Sequence, residues 1–148
     1  MNPQLSVRKI TDAEELKTVF EIRHEVFVIG QKVPHEEEFD EFEDSSHHFM
    51  AFSGSEPAGV ARWRYTEKGI KMERFAVLDK FRSQGVGSVL VEAVEEDIRN
   101  HPDSKAGDRM YMHAQVTAMG LYAKYNYQKR GDLFLECDIE HFLMEKTI

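Results

Sequence analysis

Arg82, Gly85 and Gly87 stand in the spacing Arg-x-x-Gly-x-Gly, after an apolar, β-compatible run from Ile70 to Leu78. Behind them Val86, Val89, Leu90, Ala93, Val94 and Ile98 recur at helical intervals, so one face of a helix is buried there. Glycine has no Cβ, so an anionic group can approach the backbone closely at Gly85 and Gly87. The first amides of the helix lack partners within it, and its dipole adds positive potential at that end. Strand, glycine loop and helix N-terminus together suit a phosphate, and Arg82 adds a full charge. Other nucleotide patterns fail. A P-loop needs Gly-Lys-Ser/Thr, and no Lys follows Gly87. A dinucleotide fingerprint needs a third Gly or Ala at position 90, which is Leu90. The histidines lack metal-ligand spacing, and neither a Ser-His-Asp nor a Cys-His nucleophile has local support. The expected chemistry needs no metal.

At 148 residues the chain is read as one domain, 1–148, long enough to bury a real core. The net charge of −8 argues against a nucleic-acid partner, whose phosphates require a basic face. It is compatible with a cationic amine drawn in by the field, and equally with a charge that serves only solubility. No apolar run reaches the roughly 20 residues that span a bilayer, so no membrane partner is expected. The start, Met-Asn-Pro-Gln-Leu, shows no basic region leading into an apolar one. Cys137 is the sole cysteine and has no internal partner, which suits a reducing cytoplasm and an inert thiol.

These residues need elements to hold them. Residues 5–10 alternate as a first strand, and Thr11 with Glu14 forms a capping box for a helix running to about Phe27. Val26 to Ile29 blurs its end, and Gly30 terminates it. From Gln31 to Ser46 the chain is acidic, interrupted by Phe39 and Phe42. It reads either as a lid beside an acceptor or as a solvated connector with two aromatic anchors. Residues 47–53, 58–65 and 70–78 form three strands joined by short turns, an antiparallel meander. Along the second, Ala61, Trp63 and Tyr65 lie on one side and Val60, Arg62 and Arg64 on the other. The strand at 109–114 follows the long helix, so it runs parallel to the 70–78 strand through a crossover. A helix capped by Thr117 reaches about Tyr125. Short strands at 127–130 and 133–136 flank Gly131-Asp132, and a last strand covers His141 to Glu145.

The stretch from Phe75-Ala76-Val77 through Arg82-x-x-Gly85-x-Gly87 resembles the acyl-CoA-binding motif of the GNAT (Gcn5-related) N-acetyltransferase superfamily. The element order β-α-(α)-β-β-β-α-β-α-β-β is similar to that fold over nearly the whole chain. Tyr122-Ala-Lys-Tyr-Asn126-Tyr127 resembles the family's Tyr-x-x-x-Gly-Phe helix end, with Asn126 tolerating the left-handed conformation of the Gly. Arg23 to Val28, His113-Ala114-Gln115 and Ile139 to Met144 resemble the ElaA-like branch. Asp79-Lys80 stands where many relatives carry Pro-Glu.

The resemblance implies an α/β fold: a mixed, mostly antiparallel sheet with one splayed parallel pair, flanked by helices. It implies acetyl-CoA as cosubstrate, contacted by the backbone of Phe75, Ala76 and Val77. The pyrophosphate falls to Arg82, Ser83, Gln84, Gly85, Val86, Gly87 and Ser88. An amide at a strand bulge near Val77 would polarise the thioester carbonyl. Glu73 stands where relatives often hold a general base, an ion-paired Glu being the competing reading and His113 and His141 the alternatives. Tyr122 matches the helix tyrosine that protonates the leaving thiolate, with Tyr125 as second choice. The implied function is acetyl transfer to the primary amine of a small molecule or peptide. The alternative is a non-catalytic acyl-CoA-binding regulatory module. A third reading, an acyl-homoserine-lactone-type synthase suggested by Arg23 and Phe27, meets a chain that looks short for it. Exposed strand edges leave room for a homodimer.

Overall fold

A computed structural model describes residues 4–148. Seven strands form one sheet in the order β1-β2-β3-β4-β5-β7-β6. They are β1 (Leu5–Ile10), β2 (His47–Ser53), β3 (Glu56–Thr66), β4 (Gly69–Val77), β5 (Arg109–Gln115), β6 (Gln128–Glu136) and β7 (Ile139–Thr147). Every neighbouring pair is antiparallel except β4 and β5. The expected meander and crossover are both present. The two strand candidates around Gly131 are one bulged strand: its register against β7 slips between Arg130 and Phe134, with Gly131 at φ 74°.

Helices α1 (Ala13–Arg23) and α3 (Val86–Asn100) cover opposite faces of the β1–β4 half. Ala61 and Trp63 of β3 lie in the core under α3, whereas Val60 lies in the second core with Val19 and Ile22 of α1. The period-two reading of this strand therefore holds. The cap of α1 is Asp12, one residue after Thr11: its carboxylate accepts from Glu14 N at 2.7 Å and Glu15 N at 3.2 Å. Beyond Arg23 the chain widens into a π-helical stretch, His24–Gly30, which is why the helix end is blurred in the sequence. The C-terminal helix α4 (Met119–Ala123) is shorter than expected, because residues 116–118 form a 3₁₀ turn and Thr117 caps nothing. The remaining helix, α2 (His35–Glu38), is a single turn within the acidic segment.

That segment is neither a plain lid nor a plain connector. Its carboxylates turn inward onto guanidinium groups of the sheet and α1. Arg23 is buried and donates to Glu38 Oε2 at 2.9 Å and to both oxygens of Glu43 at 2.7 and 2.8 Å. Arg62, central on β3 and fully buried, donates to both oxygens of Asp40 at 3.0 and 2.7 Å, to Glu43 and to Glu73. The two aromatic anchors hold: Phe39 meets Phe20 edge-on, and the Arg64 guanidinium lies 3.8 Å from the Phe42 ring centroid. Arg23 is thus a structural ion-pair residue, which removes its support for the lactone-synthase reading.

The network reaches a bulge in β4. Arg74 sits at φ 61°, a left-handed conformation costly for a non-glycine residue. Its side chain donates to the Glu38 carbonyl at 3.2 Å and to Asp40 Oδ2 at 3.2 Å. Opposite it the register against β3 shifts between Val60 and Arg62. The extra residue inverts the alternation: Ile70 and Met72 face α3 before the bulge, whereas Phe75 and Val77 do so after it and Ala76 faces α1.

Burial alone would raise the carboxyls of Asp40 and Glu73, but the arginines hold both at about 2. Their contribution is complete above the unfolded carboxylate pKa of about 4 and is lost as pH falls towards 2. Glu38, which burial pushes up despite its arginines, offsets part of this. Urea midpoints are therefore expected to stay level from pH 7 to about 5 and to drop steeply below about 4. A midpoint that holds to pH 2.5 would show that the network does not stabilise the fold.

Candidate active site

β4 and β5 pair only at Ile70–Met110 and Lys71–Tyr111 and then diverge. The gap opens as a cavity of about 200 Å³ walled by Met72, Glu73 and Phe75 from β4 and by Met112, His113 and Gln115 from β5. Beyond Lys71, the backbone of β4 has no strand on its β5 side, so its polar groups there are available to an extended ligand.

The loop expected to hold phosphate lies at one end of this gap. Asp79–Phe81 form a 3₁₀ turn, Ser83 adopts φ 62°, and Gly85 is the N-cap of α3 at φ 89°. Gly85 is required for that conformation. No side chain caps the helix, so the amides of its first turn remain free. Gly87 has a different role from the expected one. A Cβ on it would lie 2.9 Å from Leu121 Cδ2, so its bare side seats α4 and does not face an anion. Val86 is buried under the loop and contributes backbone only. The Gln84 amide donates back to the Lys80 carbonyl at 3.2 Å. Arg82 is half-exposed, with Nε donating to the Val77 carbonyl at 3.3 Å and one terminal nitrogen 3.0 Å from Asp79. A cation missed in the sequence joins it: Lys124 Nζ is 3.5 Å from Ser88 Oγ, beside the start of α3.

Tyr122 reaches the cavity from α4. Its ring meets Phe75 edge-on at 5.6 Å, and among the described residues its hydroxyl has no hydrogen-bond partner. Burial pushes the phenol up, so it stays protonated. Tyr125, the second choice, is taken up elsewhere: its hydroxyl donates to the Ser88 carbonyl at 3.3 Å and to Glu92 at 3.1 Å. Asn126 adopts φ 73° just past α4, the conformation expected of it in place of glycine.

Glu73 lines the cavity but is caged by cations. Arg64 Nε lies 2.6 Å away, Arg62 2.9 Å, Lys71 3.5 Å and Arg74 3.6 Å. A carboxyl held at about 2 is too weak a base to take a proton from an amine at neutral pH. The ion-paired reading of Glu73 is therefore the correct one. The bulge also lies elsewhere than expected, at Arg74–Phe75, while Val77 pairs regularly with Gly59.

Across the gap, Glu136 at the end of β6 stands between two imidazoles: its Oε1 is 3.5 Å from His113 Nδ1 and its Oε2 3.7 Å from His141 Nε2. Glu136 carried no signal of its own in the sequence. His113 and His141 did, as alternative bases, and the structure sets them on adjacent strands two register steps apart. Cys137 follows at the hairpin tip, and burial together with Glu37 and Glu136 pushes its thiol up, away from reactivity. No group of three or more His, Cys, Asp or Glu among the described residues is arranged to hold a metal. Nor is any helix long and apolar enough to cross a membrane.

A sheet split at one parallel pair, with a glycine-capped helix at one end of the split and a free phenol within it, defines an acyltransferase fold. The family model for the acetyltransferase (GNAT) domain matches residues 10–148, and the chain belongs to that family. It is 38% identical over 134 residues to the uncharacterised N-acetyltransferase YjcF of Bacillus subtilis, covering 90% of this chain and 93% of that one. An acyl-CoA N-acyltransferase from Pseudomonas aeruginosa superposes with TM-score 0.79 at 26% identity, over 97% and 99% of the two chains. Escherichia coli ElaA shares the fold with TM-score 0.78 at 18% identity, again over 97% and 99%.

A Cβ on Gly87 must move the tip of the Leu121 side chain, and the two further carbons of a valine extend that overlap towards α4. Gly87→Val is expected to lower the melting temperature and the turnover together, through a shift of the neighbouring Tyr122. A variant with unchanged melting and unchanged turnover would show that α4 tolerates the displacement.

Proposed function

We propose that the chain works as a single acyltransferase domain, 1–148, that moves an acetyl group from acetyl-CoA to the primary amine of a small molecule. The observation that carries this reading is the phenol of Tyr122, which lines the gap between β4 and β5 and makes no hydrogen bond among the described residues. Its oxygen is open to the cavity, where a ligand atom can meet it.

The residues present fit a CoA thioester. The free amides of α3, Arg82 and Lys124 form a cationic end suited to the diphosphate, and the unpaired edge of β4 around Phe75, Ala76 and Val77 suits pantetheine amides. The thioester supplies an activated acyl carbon, and the protein orients it and manages the protons. Tyr122 Oη gives its proton to the departing sulfur. Burial raises the phenol, but it raises a buried thiol as well, so the two remain matched. In this reading a backbone amide at the Arg74–Phe75 bulge donates to the carbonyl oxygen as charge develops there.

The caging of Glu73 favours one competing reading, a module that binds acyl-CoA without turning it over. Saturating acetyl-CoA with a panel of primary amines, followed by free-thiol release, decides between them. Turnover on at least one amine is expected, and binding by calorimetry without thiol release from any would establish the sensor. Arg82→Ala and Lys124→Ala are each expected to raise the acetyl-CoA Kd by about tenfold, the loss of one charge-assisted bond. Tyr122→Phe should lower kcat by about 10²-fold with Kd unchanged. Equal rates in the phenylalanine variant would remove the phenol from the mechanism.

A further inference from the structure

With Glu73 neutralised, the β4 side of the cavity offers no base, and the opposite wall does. Continuing the β4–β5 register beyond Lys71–Tyr111 would set position 113 against position 73, so His113 faces Glu73 across the split. Met110, Met112 and Ala114 of β5 lie in the core under α3, which places His113 on the α1 face. Tyr122 packs in the α3-side core. An imidazole and a phenol thus flank the gap from opposite faces of the sheet, as an acid and a base acting on opposite ends of one bond would need.

Three further contacts orient the imidazole. Its Nδ1 is buried and makes no hydrogen bond within usual limits, and the Glu136 carboxylate, 3.5 Å away, is the acceptor beside it. The Phe134 ring lies edge-on at 5.2 Å and restricts the imidazole plane. On its other side Glu136 faces His141, whose Nδ1 lies 2.7 Å from the Ile139 carbonyl and donates to it. A proton on Nδ1 directed at a carboxylate leaves the lone pair on Nε2. That nitrogen is neither buried nor bonded among the described residues, and the residue lines the cavity.

We propose that His113 is the general base of the acyl transfer, with Glu136 as the residue that positions it. The inference rests on the transferase reading given above. The amine nitrogen bonds to the acyl carbon and loses a proton to His113 Nε2, the carbon–sulfur bond breaks, and the sulfur takes the proton of Tyr122 Oη. Transfer of a proton from the imidazolium to the phenolate through water restores both residues, so the products are the amide and free CoA.

His113→Gln is expected to lower kcat by about 10²-fold while leaving the acetyl-CoA Kd unchanged, and Glu136→Gln to lower kcat less. Long-range ¹H–¹⁵N NMR of the free protein is expected to show the Nδ1–H tautomer at His113 and its loss in Glu136→Gln. This readout needs no turnover. Normal transfer by His113→Gln overturns the proposal while the transferase reading stands, and so does an Nε2–H tautomer in the unsubstituted protein. Absence of thiol release by the unsubstituted protein on any amine overturns the transferase reading, and the base with it.

Discussion

Buried guanidinium groups in the middle of a sheet require carboxylates, and the acidic segment supplies them. Arg62 and Arg23 are almost wholly excluded from solvent, so each must be neutralised or it would destabilise the fold by several kcal/mol. Glu38, Asp40 and Glu43 do so from one short stretch of chain, and that binds the stretch to β3 and α1. The same carboxylates hold Arg74 in its left-handed conformation. Because that residue makes the bulge, and the bulge reorients Phe75 and Ala76, the shape of the gap follows from an ion-pair network on one face of the sheet. The cost of positive φ at Arg74 is met by the bonds of its side chain.

Two of the carboxylates that line the cavity are in opposite situations. Glu73 is surrounded by four cations and is chemically quiet. Glu136 has imidazoles on both sides, and His113 first among them holds it below the ordinary carboxylate range against the effect of burial. A carboxylate among guanidinium groups fixes structure. A carboxylate beside a histidine can orient the ring and fix which of its nitrogens carries the proton. The position of an acid in a strand therefore says less about its role than the charges on neighbouring strands.

This also explains what the sequence could and could not disclose. The glycine loop, the α3 periodicity and the Tyr122 helix end are local patterns, so the fold was legible from them. Glu73 was misread because the cage around it comes from Arg62 and Arg64, which approach it only through a register that contains a bulge. The packing role of Gly87 was hidden for a related reason: its neighbour, Leu121, lies 34 positions away and meets it through tertiary packing. The run of acidic residues resembled a solvated face, since nothing in a linear pattern distinguishes Glu38, which is buried, from Glu36 and Glu37, which are exposed. Glu136 lay beside a recognised histidine segment, but its meaning depends on the pairing of β5 with β7.

The mounting of Tyr122 completes this picture. A helix of five residues has too few internal bonds to fix a side chain by itself. It is fixed from outside. Asn126 turns the chain at its end, and Tyr127 buries its ring beside Tyr122, its hydroxyl donating to Glu95 of α3 at 2.8 Å. At the other side Gly87 of α3 admits Leu121. Both attachments lead to α3, whose first turn also provides the free amides of the phosphate loop. Tyr122 and the uncapped start of α3 are therefore both attached to the same long helix. The Glu136–His113 pair is built on β5, β6 and β7, on the other side of the gap. Only the pairs at Ile70–Met110 and Lys71–Tyr111 join β4 to β5 between them.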